Sequence, residues 1–202
     1  MSESAAPAAA RGAEQRARIV ATAERLFRLM GFQKTTVADI ARELGMSPAN
    51  VYRYFGAKSE INAAVARLLT GEVEAVVDAI ADGPGAAAER LLWLVETNEA
   101  MNRERYVDDR KLHDIVEAAM AEHWPIIGEH IARVDAAIER VIASGMESGE
   151  FRRGDAHLAA RLVHSACIRY CHPRIQVECA DPGAPSAAQM VEFCLTALRA
   201  GR

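Results

Sequence analysis

The stretch 35–58, TTVADIARELGMSPANVYRYFGAK, decides how the rest of the 202-residue chain is read. Val37, Ile40, Ala41 and Leu44 recur at helical spacing, Gly45 supplies a permissive backbone, and Ser47 with Pro48 reads as an N-cap followed by a first-turn proline. The pattern is helix, tight turn, helix. Helices of about two turns do not stand alone in water, so the pair needs a packing partner. The preceding segment supplies one: between 13 and 30, Ile19, Ala23, Leu26, Phe27 and Met30 line one face, and Gly31 is placed as a C′ residue. Phe32 then folds the chain back before Thr36 caps the second helix.

Beyond Phe55 and Gly56, Ile61, Val65, Leu68, Leu69, Val76 and Ile80 mark a long helix over 58–81, stopped by Asp82-Gly83-Pro84-Gly85. Five more helices are expected at 86–102, 104–122, 125–148, 156–171 and 186–200. No segment alternates β-branched residues with period two, so the fold class is all-α with about nine helices. Residues 1–12, MSESAAPAAARG, are small and polar enough to be expected as a disordered arm, with Arg11 within reach of phosphate. The domains are then a head over 13–58, a connecting helix over 58–81 and a body over 82–202.

Half of the residues are apolar, enough for a core without disulfide or metal. There is no apolar run of about 18 residues and no signal-peptide pattern, so a cytoplasmic protein with no membrane partner is expected. The four cysteines, Cys167, Cys171, Cys179 and Cys194, form no CxxC pair and are expected as reduced thiols. The net charge of −4 is unevenly spread. Residues 1–58 hold nine Lys/Arg against five Asp/Glu, and residues 59–202 hold fifteen against twenty-three. A basic head on an acidic body suits phosphate binding at one end, although a chance imbalance gives the same count.

Gly31-Phe32, Thr35-Thr36-Val37, Ile40-Ala41, Leu44-Gly45-Met46-Ser47 and Val51-Tyr52-Arg53-Tyr54-Phe55 followed by Lys58 together resemble the N-terminal domain of the TetR family of bacterial repressors. The resemblance implies a helix-turn-helix that enters the major groove of double-stranded DNA. Helix geometry sets Val51 and Phe55 toward the first helix and leaves Ala49, Asn50, Arg53 and Tyr54 on the other side. Arg53 and Asn50 are the expected base readers, since arginine pairs bidentately with guanine and asparagine with adenine. Ser47, Pro48 and Ala49 open the reading helix. Tyr52, Tyr54, Thr35, Thr36 and Lys58 are expected on the phosphates. Other readings stay open: Tyr52 as a cover for the first helix, Arg53 as a phosphate contact alone, Thr36 as a helix cap. Ala57 is a poor N-cap, which makes Ser59 an alternative start for the connecting helix.

The resemblance further implies a body that dimerises through its last two helices and encloses a small-molecule pocket. Leu158, Leu162, Ser165 and Ala166, with Val191, Leu195 and Leu198, form two candidate faces for a homodimer, or for the core of one chain. Trp93, Met101, Tyr106, His113, Met120, Trp124 and Tyr170 are the candidate ligand-binding residues, each with an ordinary core role as the alternative. His164, Cys167 and Cys171 lie at i, i+3 and i+7. Yet that spacing spans about 10.5 Å along a helix, too far for one ion, so packing is preferred and no metal or cofactor is expected. The chain is therefore expected to be a ligand-released repressor on a palindromic operator, with an unidentified effector. The alternative is an all-α carrier or enzyme that does not bind DNA. No GxSxG, P-loop, HExxH or dinucleotide motif supports an enzyme.

Overall fold

The computed structural model describes residues 5–104, 110–178, 181 and 183–199. Its elements are α1 (Ala5–Met30), α2 (Val37–Glu43), α3 (Pro48–Tyr52), α4 (Lys58–Ala81), α5 (Ala87–Asn102), α6 (Arg110–Ala121), α7 (Pro125–Ser148), α8 (Ala156–Cys171), α9 (Pro173–Glu178) and α10 (Ala187–Leu198). The described residues contain no strand, only an isolated bridge between Phe151 and Arg199. None of the described helices is long and apolar enough to cross a membrane.

Contacts divide the chain into two units, Met1–Leu69 with Arg110–Trp124, and Thr70–Asp109 with Pro125–Arg202. The cut passes through α4 and places α6 with the first three helices, whereas a linear division puts everything beyond residue 82 in the body. The N-terminal side also differs from the expected arm: residues 5–12 continue α1. Alanine leaves nothing to bury but has the highest helix propensity, and Pro7 lies in the first turn, where its missing N–H costs no helical bond.

In the first unit Ile19, Ala23, Leu26 and Phe27 of α1, Val37, Ile40 and Ala41 of α2, Val51 of α3, Phe55, and Ile61 and Val65 of α4 are buried. Phe32 meets Phe27 edge to face at 6.3 Å. Gly31 (φ 87°) and Gly45 (φ 66°) take the left-handed conformation at the two turns, where a side chain would strain the backbone. Thr36 and Asp39 form a reciprocal capping box on α2, and the Ser47 hydroxyl accepts from Asn50 N at 3.3 Å to open α3. At α4, Glu60 reaches back to Gly56 N (3.0 Å), so the helix starts at Lys58 and Ser59 lies inside its first turn rather than capping it.

The second unit is a layered helix packing around Val73, Val77, Leu91, Leu94, Val95, Val134, Ile138, Val141, Ile142, Val163 and Val191. Each such buried side chain contributes about 1.5–3 kcal/mol relative to exposure. Glu74 and Asp78 on α4 and Asp82 just past its end recur every fourth residue toward α7: Glu74 meets His130 Nδ1 (3.0 Å) and Arg133 (3.4 Å), and Arg140 spans Asp78 (2.5 Å) and Asp82 (2.9 Å). The α7–α8 connection joins several helices at once. Glu150 accepts from Ala87 N and Ala88 N, Phe151 is buried, and Arg152 N donates to Leu198 O at 2.8 Å. Pro173 ends α8 as its ring requires, and then serves as the first residue of α9, a six-residue helix that sequence periodicity does not reveal.

Candidate nucleic-acid interface

The reading helix α3 has only five residues, so its orientation is set by what lies behind it. Val51 and Phe55 are sealed into the core of the head at 0% and 1% exposure. Opposite them Ser47, Pro48, Ala49, Tyr52 and Arg53 are exposed, and Asn50 and Tyr54 are half-buried. The polar face is open. Tyr52 is 49% exposed. Arg53 stands at the C-cap of α3 and makes no ion pair with a described residue.

Two of the expected phosphate contacts are directed inward instead. Thr35 is fully buried: its hydroxyl donates to Gly31 O (2.9 Å), and its amide donates to the same carbonyl (3.1 Å). A turn that places carbonyls without helical donors inside the head takes the nearest hydroxyl to satisfy them. Lys58 is likewise directed inward, with Nζ donating to Phe32 O (2.7 Å) and Gln33 O (3.3 Å), and partial burial lowers its pKa. Thr36 is exposed but belongs to the α2 cap. Its hydroxyl and amide donate to Asp39, whose carboxyl is drawn down to about 2, first by that hydroxyl, then by the amide and Arg42.

Among the other cations of the head, Arg25 pairs with Glu43 and Arg42 with Asp39, both at 2.5 Å, and Arg28 pairs with Glu24. Lys34, exposed in the α1–α2 turn, pairs with no described carboxylate. It was not among the sequence candidates, because a turn has no periodicity from which to read direction. Its place directly before Thr35-Thr36 is the signal that would have found it.

Of the candidate ligand-binding residues, Trp93, Met101 and Tyr170 belong to the second unit, and Met120 and Trp124 to the first. Trp93 is 51% exposed on α5, which excludes its core alternative. Trp124 is half-buried with its indole N–H on Glu122 (2.8 Å), and Met101 and Met120 are half-buried. Tyr170 is buried, its hydroxyl donating to Pro185 O at 2.7 Å. Tyr106 and the side chain of His113 lie outside the described residues. Sequence periodicity also passed over two buried amides near Met101: Asn102 Nδ2 donates to Asn98 Oδ1 (2.7 Å) and to Cys171 O (2.8 Å).

His164 Nδ1 lies 2.6 Å from Asp135 Oδ1. Cys167, Cys171 and Cys194 are buried, and burial pushes their thiols up, that of Cys171 to about 12. Protonated thiols pack as small hydrophobes and are poor nucleophiles and ligands. Cys179 lies outside the described residues. On α8, Leu158 (54%), Leu162 (62%) and Ser165 face outward, with Ala166 half-buried. On α10 the core alternative holds: Val191, Leu195 and Leu198 are in the core of the chain, and Phe193 is 70% exposed.

Two family models match the chain: "Bacterial regulatory proteins, tetR family" over residues 19–65 and "Tetracyclin repressor-like, C-terminal domain" over residues 87–191. No curated protein matches it. Among solved structures, a protein from Mesorhizobium loti MAFF303099 assigned to the TetR-family transcriptional regulators aligns with TM-score 0.71 and 19% identity, over 94% of this chain and 99% of its own. A regulatory protein of the tetR family from Rhodococcus RHA1 aligns with TM-score 0.57 and 27% identity, over 93% and 98%. RolR in complex with resorcinol aligns with TM-score 0.63 and 18% identity, over 94% and 90%. An open polar face on a capped helix-turn-helix, a second unit built of helices, and family models covering both make this chain a member of the TetR family of bacterial transcriptional regulators.

Proposed function

We propose that the protein is a ligand-released repressor that binds a palindromic operator in double-stranded DNA as a homodimer in the cytoplasm. The observation that carries the reading is the α3 face, where Asn50 and Arg53 stand on the side opposite buried Val51 and Phe55. Asn50 and Arg53 read bases. Ser47, Pro48 and Ala49 approach the groove at the helix start, and Tyr52, Tyr54 and Lys34 position the head on phosphate. A five-residue reading helix addresses few base pairs, and two copies double the contact set. Leu158, Leu162 and Phe193 supply an outward apolar face for the second copy.

The effector is a small molecule bound in the body, by analogy with RolR and its resorcinol. It releases DNA by preferring the state whose half-site spacing does not fit the operator. Each tenfold loss of operator affinity requires about 1.4 kcal/mol of preference for that state. No chemical step is involved. Selection of bound sequences from a random DNA pool, followed by a screen for small molecules that release the selected duplex, tests the proposal. A palindromic consensus bound with a steep salt dependence is expected. A protein that retains no duplex, yet takes up small molecules, would be a carrier instead.

A further inference from the structure

The C-terminal end of α3 is held by a residue of α1. The Arg16 guanidinium lies 4.1 Å from the centre of the Phe55 ring, and its Nη1 donates to the backbone carbonyl of Tyr54. The two residues that Arg16 grips follow directly on Arg53, the C-cap of the reading helix. Past that end Tyr54 N and Phe55 N turn back to Val51 O (2.9 and 3.2 Å), while the Tyr54 carbonyl takes no bond from a backbone N–H among the described residues. A guanidinium satisfies that carbonyl, places positive charge at the negative end of the helix, and presses the outer face of a ring whose inner face fills the core.

We infer that Arg16 is a positioning residue for DNA recognition: it fixes the rotation of α3 about its own axis, and hence where Asn50, Tyr52 and Arg53 point. The inference rests on the DNA-binding reading above. With five residues, α3 has too few internal hydrogen bonds to resist rotation; Val51 anchors its buried side, and Ser47 secures its start. Arg16 secures the end. As a cation on the head it would otherwise be read as a phosphate contact, and the two roles separate in their salt dependence. Loss of a phosphate contact weakens all sequences alike and lowers the salt slope by about one. Loss of a positioning residue lowers the competent fraction of the reading helix, so it erodes preference between sequences and leaves the slope unchanged.

The test uses the full chain as wild type, R16M and R16K. Affinity is measured for the selected duplex and for random duplex across a salt series, with unfolding followed in parallel. R16M is expected to lose about tenfold on the selected duplex and little on random duplex, with the wild-type salt slope, and R16K to recover most of the loss. A salt slope lower by about one, with equal loss on both duplexes, makes Arg16 a phosphate contact and overturns the inference. So does a folded R16M with wild-type affinity and preference. If R16M does not fold, F55L removes the ring beneath the guanidinium while keeping an aliphatic core; unchanged sequence preference in F55L overturns the inference equally. Wild-type protein that binds no duplex overturns the DNA-binding reading itself, a result distinct from any defect confined to the variants.

Discussion

The Lys58 ammonium donates to the Phe32 carbonyl at 2.7 Å, tying the first turn of α4 to the turn that joins α1 and α2. A lysine at the edge of a DNA-binding head invites assignment to phosphate, but this one completes the hydrogen bonding of its own fold. K58M should destabilise the protein by about 1–2 kcal/mol, through the loss of charge-assisted bonds to two carbonyls. It should weaken DNA binding without changing the salt slope. Denaturant unfolding and a salt series check both parts, and a slope lower by about one would mean that DNA draws Lys58 off the carbonyls.

Arg53 stands exposed at the end of α3 with no described ion-pair partner, so its removal leaves nothing unsatisfied in the head. R53A should therefore keep wild-type stability, cost about 1–3 kcal/mol on the preferred operator, and relax the preference at one position of each half-site. Repeating the sequence selection with R53A is the check. An unchanged consensus with uniformly weaker binding would reassign Arg53 to phosphate.

The helix-turn-helix was legible because its signals are local: Thr36 with Asp39 and Ser47 with Asn50 each lie within one turn of chain. The limits of α7 and α8 follow in the same way from Pro125 and from Asp155, whose carboxylate accepts from Leu158 N at 3.0 Å. What could not be read depends on distant partners. Ala86 at the start of α5 offers no cap, and the carboxylate that does the work, Glu150, lies 63 residues from Ala87. In α10, Val191, Phe193, Cys194 and Leu195 are all apolar, so periodicity cannot say which one turns outward. Thr35 and Lys58 point inward because of carbonyls exposed at a turn, and the sequence does not show where a turn's carbonyls point.

Phe193 is the most exposed large hydrophobic side chain described, and Leu162 and Leu158 on α8 are also more than half exposed. Covering a Phe side chain is worth about 1.5–3 kcal/mol in each copy, so it is well placed to anchor an interface between two chains. F193D should convert the dimer to monomer, as seen by sedimentation, without loss of helicity. It should also abolish binding to a two-half-site operator while leaving weak binding to random duplex. A variant that stays dimeric would move the interface elsewhere.

Gly145 of α7 packs where no side chain fits. A Cβ there would overlap the Phe151 ring at Cδ2 and lie 2.8 Å from Ala87 Cβ, at the junction formed by the α7–α8 connection. G145A should cost about 1–3 kcal/mol by overpacking, despite the better helix propensity of alanine. Gly128 lies in the same helix, and a methyl group added to its Cα would have nothing within 4 Å, so G128A should stabilise by up to about 1 kcal/mol. Opposite shifts of the thermal midpoint from one substitution at two sites would separate packing from propensity.

His130 of α7 packs against Glu74 of α4, which Arg133 also meets, with His164 nearby. Burial lowers the His130 pKa more than the hydrogen bond and charge of Glu74 raise it, and His164 adds to the lowering. The neutral ring then donates its Nδ1–H to the Glu74 carboxylate. With a folded pKa below the unfolded value of about 6.5, the unfolded chain binds more protons as pH falls past neutrality. The stabilising contribution of His130 is therefore complete above pH 6.5 and declines as pH falls through 6.5 toward the folded pKa. H130N, which keeps a donor near Glu74 but does not titrate, should flatten the stability profile between about pH 7 and 5. Denaturant midpoints across that range decide the matter: a slope as steep in H130N as in the wild type would assign the pH dependence to other groups.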